Sequence, residues 1–104
     1  MIFKQKRHRS PKLLGSARGQ ICTLRVSAIC LDGESVACHV GLRGSAIGGK
    51  VSDIFVAYGC NNCHAVIDGQ MKSDLTPDEL TIQKARANQE TIQMMLDKGI
   101  LKLP

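Results

Sequence analysis

The sequence predicts a small α+β domain in which two short strands pack with a short N-terminal helix and a long C-terminal helix. Two stretches, SVACHVGL at 35–42 and IFVAY at 54–58, have the β-branched and alternating composition of strands. The segment at 76–98 has the signals of a long capped helix. A chain of 104 residues can build one modest core but not two independent ones, so we expect a single domain over residues 10–104.

Both helices have local start and stop signals. For the short helix, Ser10 is the expected N-cap, with Pro11 at the first helical position and Gly19 as the stop. For the long helix, Thr76 and Glu79 form an expected capping box. A stripe at helical spacing predicts the face of the long helix that packs on the core: Ile82, Ala85, Gln89, Ile92 and Leu96.

The rest of the chain reads as connections around a central unit. Between Cys22 and Cys30 we expect a strand or a knuckle, and GLRGSAIGGKVSD at 41–53 predicts an ordered, irregular glycine loop. NNCHAVIDG has room for about two helical turns that end at Gly69. The C-terminal ILKLP predicts a strand or tail docked beside the long helix.

Charge is concentrated at the N-terminal end. The net charge is +5, and residues 1–31 contain no acidic residue but seven basic ones: Lys4, Lys6, Arg7, Arg9, Lys12, Arg18 and Arg25. Such a block is typical of a surface that binds a polyanion such as nucleic acid, although a solvated tail (residues 1–9 as a flexible basic arm) explains the charge equally well. The first residues lack the apolar segment of a secretory signal and no apolar run is long enough to span a membrane, which favours a cytoplasmic protein.

Cysteine spacing predicts a structural zinc site. The chain has five cysteines, an odd number that argues against a disulfide framework. Cys60 and Cys63 have the CxxC spacing of half a tetrahedral thiolate site, and Cys22 and Cys30 are the natural second half. Cys38 is expected to lie outside the site. Buried unliganded thiols are the plainer alternative, and a thioredoxin-like redox pair is disfavoured because the CxxC lacks a βαβ setting.

Two histidines and an aspartate follow a pattern compatible with metal-dependent hydrolysis. On a helix that begins near Asn61, His64 and Asp68 are four residues apart and share a face, so they can bind one divalent cation. His39 lies on a predicted strand and can serve as a general base. From spacing alone, a structural histidine and a surface helix pair remain equally valid interpretations.

The string VACHVGLRGSAIGGKVSDIFVAYGCNNCHAVIDG resembles the HNH, or ββα-metal, endonuclease pattern: a first histidine, a glycine-bearing loop, a middle Asn or Asp, then CxxCH opening a helix. More narrowly, the chain is similar to the YbcO-like family of small prophage-encoded proteins classed as nucleases. The resemblance covers residues 18–69 and continues more weakly into the C-terminal helix. It implies a zinc-stapled ββα core.

The resemblance also implies roles for individual residues. His39 matches the histidine that activates water, His64 matches a ligand of the catalytic cation, and Asp53 matches the middle residue that orients the base. The four cysteines match the thiols that hold the core around Zn²⁺. Cys38 replaces a common metal ligand at the position before the first histidine, which makes Asp68 the candidate second ligand for Mg²⁺ or a similar ion.

These roles predict a metal-dependent endonuclease that hydrolyses DNA phosphodiester bonds. Three basic residues are expected to contact phosphates with little sequence specificity: Arg18, Arg43 and Lys50. The alternative is a non-catalytic zinc module that binds nucleic acid or a phage recombination partner. A thiol oxidoreductase is a third, less favoured class.

Overall fold

The protein folds as two short strands surrounded by three helices. The computed structural model describes residues 8–30, 34–41 and 51–104, and the elements within them, in chain order, are α1 (Pro11–Gly15), β1 (Val36–His39), β2 (Val56–Gly59), α2 (Asn61–Ile67) and α3 (Pro77–Asp97). The α+β class predicted from the sequence is therefore observed. Most of the basic arm (residues 1–7) and most of the glycine loop (residues 42–50) lie outside the described residues.

The two strands pair antiparallel, and their register assigns each side chain to a face. Val36 lies opposite Gly59, and His39 lies opposite Val56. Because side chains alternate along a strand, Cys38 and Ala57 point to one face of the sheet, whereas His39 and Val56 point to the other.

Each face of the sheet packs on its own apolar cluster. The Cys38 face contacts α2 and the segment that follows α1, through a cluster that includes Cys22, Leu24, Val26, Cys63 and Val66. The opposite face packs on α1 and the C-terminal half of α3, through Leu13, Ala17, Val56, Tyr58 and Met95. A lone hairpin is only marginally stable in water, so the sheet depends on both clusters.

The starts of α1 and α3 follow the local signals in the sequence, whereas α1 ends at Gly15, before the predicted stop at Gly19. The Ser10 hydroxyl accepts a hydrogen bond from the Leu13 backbone N–H, 3.3 Å away, as an N-cap should. At the start of α3, Thr76 and Glu79 form the predicted capping box. Gly99, just beyond α3, has a φ of 72°, a left-handed conformation that L side chains rarely adopt.

The predicted core-facing stripe of α3 is wrong. Ile82 is 64% exposed and Gln89 is also exposed, while the buried residues of the helix are Ala87, Thr91 and Met95. The helix is therefore rotated from the orientation that apolar spacing predicts.

Polar side chains on α3 explain this rotation. Asn88 donates from Nδ2 to the carbonyl oxygens of Ile54 and Val56, at 3.0 and 2.9 Å, along the outer edge of β2. Thr91 Oγ1 lies 2.8 Å from Thr23 Oγ1, and the Thr23 hydroxyl in turn accepts a hydrogen bond from the Tyr58 N–H. Satisfying these buried backbone groups takes precedence over burying Ile82.

Other connections are less regular than expected. Residues 21–30 form no strand, so the knuckle is the correct alternative for this segment. Ile100 and Leu101 form no strand but pack against the apolar cluster between the sheet, α1 and α3. Leu103 is exposed. Among the described residues, no helix combines the length and apolar character that crossing a bilayer requires.

We predict that Gly59→Ala destabilises the protein. A Cβ at this position would lie 2.7 Å from both Cys38 Sγ and Leu24 Cδ1, and both side chains are buried. Overpacking of this kind costs roughly 1–3 kcal/mol, which urea unfolding followed by circular dichroism would detect.

Gly15→Ala is the matched control, because a Cβ at Gly15 meets nothing within 4 Å. It should leave the unfolding free energy unchanged or slightly increased. Equal losses in the two variants would show that crowding at Cys38 is not the cause.

Candidate functional site

Four of the five cysteines converge on one point. The sulfur atoms of Cys22, Cys30, Cys60 and Cys63 all lie within 4.8 Å of one another. The Cys30 and Cys60 sulfurs are 4.0 Å apart, twice the length of a disulfide bond. Tetrahedral thiolates around one Zn²⁺ lie about 3.8 Å apart, given Zn–S bonds of about 2.3 Å. The four cysteines are therefore close enough to bind a metal ion such as zinc.

The helix α2 positions the CxxC half of this cluster. Cys60 is the N-cap of α2, and its sulfur accepts a hydrogen bond from the Cys63 backbone N–H at 3.4 Å. Asn62, on the first turn, donates from Nδ2 to the carbonyl oxygen of Ile29 at 2.6 Å. This contact joins the helix to the segment that supplies Cys30.

Burial and the close approach of the sulfurs disfavour thiolates in this cluster in the absence of a cation. Burial, together with the neighbouring thiols, raises the pKa of Cys63 to about 11, and the pKa of Cys30 is raised for the same reasons. Hydrogen bonds from the backbone of Ser27 and Val26 act in the opposite direction on Cys63, because they stabilise its thiolate. The fold thus supplies donors for thiolate sulfur, and a cation would remove the repulsion among the four sulfurs.

The helix α3 fixes the segment that carries Cys22. Arg86 donates from Nη2 to the carbonyl oxygens of Thr23 and Leu24, at 2.8 and 2.9 Å. Arg25 has a φ of 48°, and its guanidinium forms a two-pronged ion pair with Glu90 at 3.1 and 2.9 Å. Both contacts hold the backbone that follows Cys22, residues 23–25, against α3.

A histidine and a buried aspartate form a second candidate site at the far end of the sheet. His39 Nε2 lies 2.9 Å from Asp53 Oδ1. Asp53 is only 1% exposed, whereas the His39 side chain is 34% exposed. The other carboxylate oxygen of Asp53 accepts a hydrogen bond from the Ser10 N–H at 2.7 Å. The imidazole is therefore oriented by a fixed partner and remains partly exposed.

The segment before α1 holds this aspartate in place. The Asp53 N–H donates to the His8 carbonyl oxygen at 2.8 Å, and the His8 N–H donates to Ser52 Oγ at 2.8 Å. Together with the Ser10 contact, these bonds attach residues 8–10 to residues 52–53.

His64 and Asp68 form a separate pair on α2. His64 Nε2 lies 3.2 Å from Asp68 Oδ2, and both side chains are partly exposed. In the part of the chain that the structure describes, the four cysteines are the one set of three or more His, Cys, Asp or Glu donors gathered closely enough to surround an ion. A cation on His64 and Asp68 would take its remaining ligands from water or substrate, which suits Mg²⁺ and Mn²⁺.

The side chain of His39 points to one face of the sheet, whereas α2, which carries His64, packs on the other face. Cys38 points to the face that α2 covers, and the neighbouring His39 points to the other face. The structure brings His39 to Asp53 and His64 to Asp68, and the meeting of both imidazoles at one phosphate stays a prediction.

A family comparison places the chain among known sequences. A profile of the family described as "Putative nuclease YbcO" matches residues 11–100. The chain belongs to this family. The match spans the cysteine cluster and the two histidine–aspartate pairs.

A solved structure shares the fold of this YbcO-family chain. It is described as "Structure of a putative bacteriophage protein from Escherichia coli str. K-12 substr. MG1655" and superposes with a TM-score of 0.66 at 22% sequence identity. The alignment covers 83% of the present chain and 98% of the other. No curated protein sequence matches the chain.

The basic residues predicted to contact phosphates are placed in part. Arg18 is exposed at the end of the α1 segment and lines a cavity of about 390 Å³ together with Asn61. Arg43 and Lys50 lie outside the described residues, so their predicted roles stay predictions.

Several residues that shape the YbcO-family site were not predicted. Arg86, Glu90 and Thr91 appeared as ordinary positions of an amphipathic helix, although they hold the Cys22 segment and β2. Arg86 lies four residues before Glu90, which is a recognisable signal for an ion pair within a helix. The sequence cannot show that Glu90 also binds Arg25, or that Arg86 also binds a distant carbonyl oxygen.

We predict a pH-dependent contribution from Glu90. Hydrogen bonding to Arg25 and the charges of Arg25 and Arg86 hold the pKa of Glu90 below its ordinary value. A lowered carboxyl pKa adds stability that is complete above the ordinary pKa near 4.5 and is lost as the pH falls through the lowered value.

Glu90→Gln should therefore reduce the unfolding free energy at pH 7 by about 0.5–1 kcal/mol, since the pair is partly screened by solvent. The difference from the unmodified protein should disappear near pH 3, as measured by denaturant unfolding. A loss of the same size at both pH values would mean that packing, rather than charge, accounts for it.

Proposed function

We propose that this protein is a metal-dependent endonuclease that hydrolyses phosphodiester bonds in DNA, with His39 as the general base. The contact between His39 and Asp53 carries the proposal. An accessible imidazole oriented by a buried carboxylate is the arrangement that activates a nucleophile in many hydrolases. Membership of a family described as nuclease supports the choice of substrate.

The contact with Asp53 supports Nδ1 as the nitrogen that takes the proton. Asp53 can only accept a hydrogen bond when ionised, so the proton of neutral His39 lies on Nε2 and the lone pair lies on Nδ1. Nδ1 removes a proton from water as the water oxygen bonds to phosphorus and the bond from phosphorus to the 3′-oxygen breaks. Asp53 then stabilises the imidazolium, which makes it a positioning residue for this reaction.

The catalytic cation would be held by His64 and Asp68. An imidazole nitrogen and a carboxylate oxygen 3.2 Å apart are suitable donors for one divalent ion, with open positions for water. Such an ion would supply positive charge next to the phosphate and the leaving oxygen.

The cysteine cluster would hold a structural zinc ion. Four thiols from two segments, with backbone donors directed at the sulfur of Cys63, match a closed site without a position for substrate. The ion would connect α2 to the Cys22–Cys30 knuckle and so fix α2 against the sheet.

A second function is favoured by one observation, the assignment of His39 and α2 to different faces of the sheet. If the two histidines do not act on one phosphate, the same zinc-stapled surface and basic residues suit a non-catalytic module. That module would bind nucleic acid or a phage recombination partner.

The nuclease proposal predicts that His39→Ala lowers the rate of plasmid nicking in Mg²⁺ or Mn²⁺ by about 100-fold or more, the usual contribution of a general base. The rate is measured by the conversion of supercoiled to open-circular DNA. His64→Ala should also lower the rate, and added metal should partly restore it.

Gln89→Ala is the matched control, since this exposed residue of α3 lies outside both candidate sites. It should nick plasmid at the unmodified rate. Equal nicking by the His39→Ala protein and the unmodified protein, prepared in parallel, would exclude His39 as the base and favour the non-catalytic module.

The zinc proposal predicts about one tightly bound Zn²⁺ per chain and a large loss of stability when it is removed, because structural zinc sites contribute on the order of 10 kcal/mol. Cys60→Ser should lose the metal and lower the melting temperature steeply. Elemental analysis and thermal unfolding measure the two effects.

Cys38→Ala tests whether the effect is specific to the cluster. Cys38 is buried near the cluster but is outside the group of four, so its replacement should leave the zinc content unchanged. A fall in zinc content equal to that of Cys60→Ser would contradict the assigned ligand set.

A further inference from the structure

A cavity of about 610 Å³ opens beside the His39–Asp53 contact. Asp53 forms part of its wall, so a single carboxylate separates the cavity from the imidazole. Its lining combines apolar side chains with polar and basic ones: Leu13, Ile54 and Phe55, and His8, Arg9, Ser10 and Ser52.

Phe55 is the unusual member of this lining. It is 47% exposed, in a chain with only three aromatic residues. Its backbone is fixed on both sides: the carbonyl oxygen accepts a hydrogen bond from the Val40 N–H at 2.8 Å, and the N–H donates to Ser52 O at 3.0 Å. Val40 directly follows His39, so the backbone of Phe55 is fixed next to the proposed base. The exposed ring offers an apolar face on which a ligand can stack.

The charge around the cavity complements a polyanion. Arg9 and His8 form part of its lining and are exposed. The one acidic residue of the lining, Asp53, is buried, and its oxygens accept hydrogen bonds from Ser10 and His39. The cavity therefore offers a flat apolar surface together with the cationic group of Arg9, and these are the two elements that single-stranded nucleic acid binding requires.

We propose that this cavity binds an unpaired nucleotide of single-stranded DNA, with the base stacked on Phe55 and the adjacent phosphate near Arg9. A paired base in a duplex has both faces covered by its neighbours, so one exposed ring in a pocket selects a base that is free of the stack. The inference deepens the proposed function, on which it rests, by naming single-stranded or frayed DNA as the substrate.

Binding of fluorescent oligonucleotides to the His39→Ala protein, followed by anisotropy at fixed salt, tests the inference without cleavage. Adding Phe55→Ala should weaken binding of single-stranded DNA roughly 5- to 100-fold, the usual effect of removing one stacking partner. Phe55→Trp should retain the affinity. Ile82→Ala, which removes an exposed apolar side chain on α3, should leave the affinity unchanged.

An abasic strand of the same length separates base stacking from phosphate contact. It should bind more weakly than the normal strand to the Phe55-containing protein, and the two strands should bind equally once Phe55 is replaced by Ala. Arg9→Gln should weaken both strands to a similar degree and reduce the salt dependence of binding.

The outcomes distinguish this inference from the nuclease proposal. A Phe55-dependent preference for bases in a protein that cleaves neither plasmid nor single-stranded oligonucleotides would uphold the binding site and reject catalysis. Nicking that depends on His39 would uphold catalysis. If the proteins with Phe, Ala or Trp at position 55 each bound the normal and the abasic strand equally, the nucleotide pocket would be overturned. Equal binding of duplex and single strand by the Phe55-containing protein would overturn it as well.

Discussion

The close approach of four cysteine sulfurs is the constraint on which the rest of this structure depends. The chain has few aromatic residues, and the part of it that the structure describes has one two-stranded sheet, a combination that gives a small domain little intrinsic stability. The cluster joins the irregular segment at 22–30 to α2, two parts of the chain that share no backbone pairing in the sheet. Cys22, Cys60 and Cys63 are buried, and burial raises the pKa of Cys63, so a bound cation would offset the cost of ionising these thiols.

β2 links this cluster to the histidine site. Cys60 follows its last residue directly, and Asp53 lies shortly before its first. Asn88 on α3 holds the outer edge of the strand, while β1 holds the inner edge and presents His39. Displacement of α2 would therefore be transmitted along a strand of four residues to the contact between Asp53 and His39. A structural ion far from the proposed base would in this way control its orientation.

Local signals in the sequence predicted much of the fold, because caps act within one helical turn. Ser10, Thr76 with Glu79, and Gly99 bound their helices as expected. The predicted core-facing side of α3 was wrong because the spacing of apolar residues carries no information about polar residues that pack inward. Thr91 is buried, and Asn88 binds backbone carbonyl oxygens. The CxxC spacing predicted one half of the cysteine cluster, and Cys22 and Cys30 were the natural second half. The contact between His39 and Asp53 came from the family resemblance alone, since a separation of fourteen positions along the chain leaves their distance undetermined by spacing.

The exposure of His39 distinguishes a reactive from a purely structural role for this contact. A carboxylate as buried as Asp53 needs hydrogen-bond donors, and a histidine recruited only for that purpose is best buried with it, where the interaction is strongest. His39 instead keeps about a third of its side chain exposed, at the end of a strand whose next residue anchors Phe55. The cavity lies beside the Asp53 carboxylate, with basic residues in its lining. A general base has to stay accessible to a water molecule at the bound phosphate, so this partial exposure is the feature on which the proposed role of His39 rests.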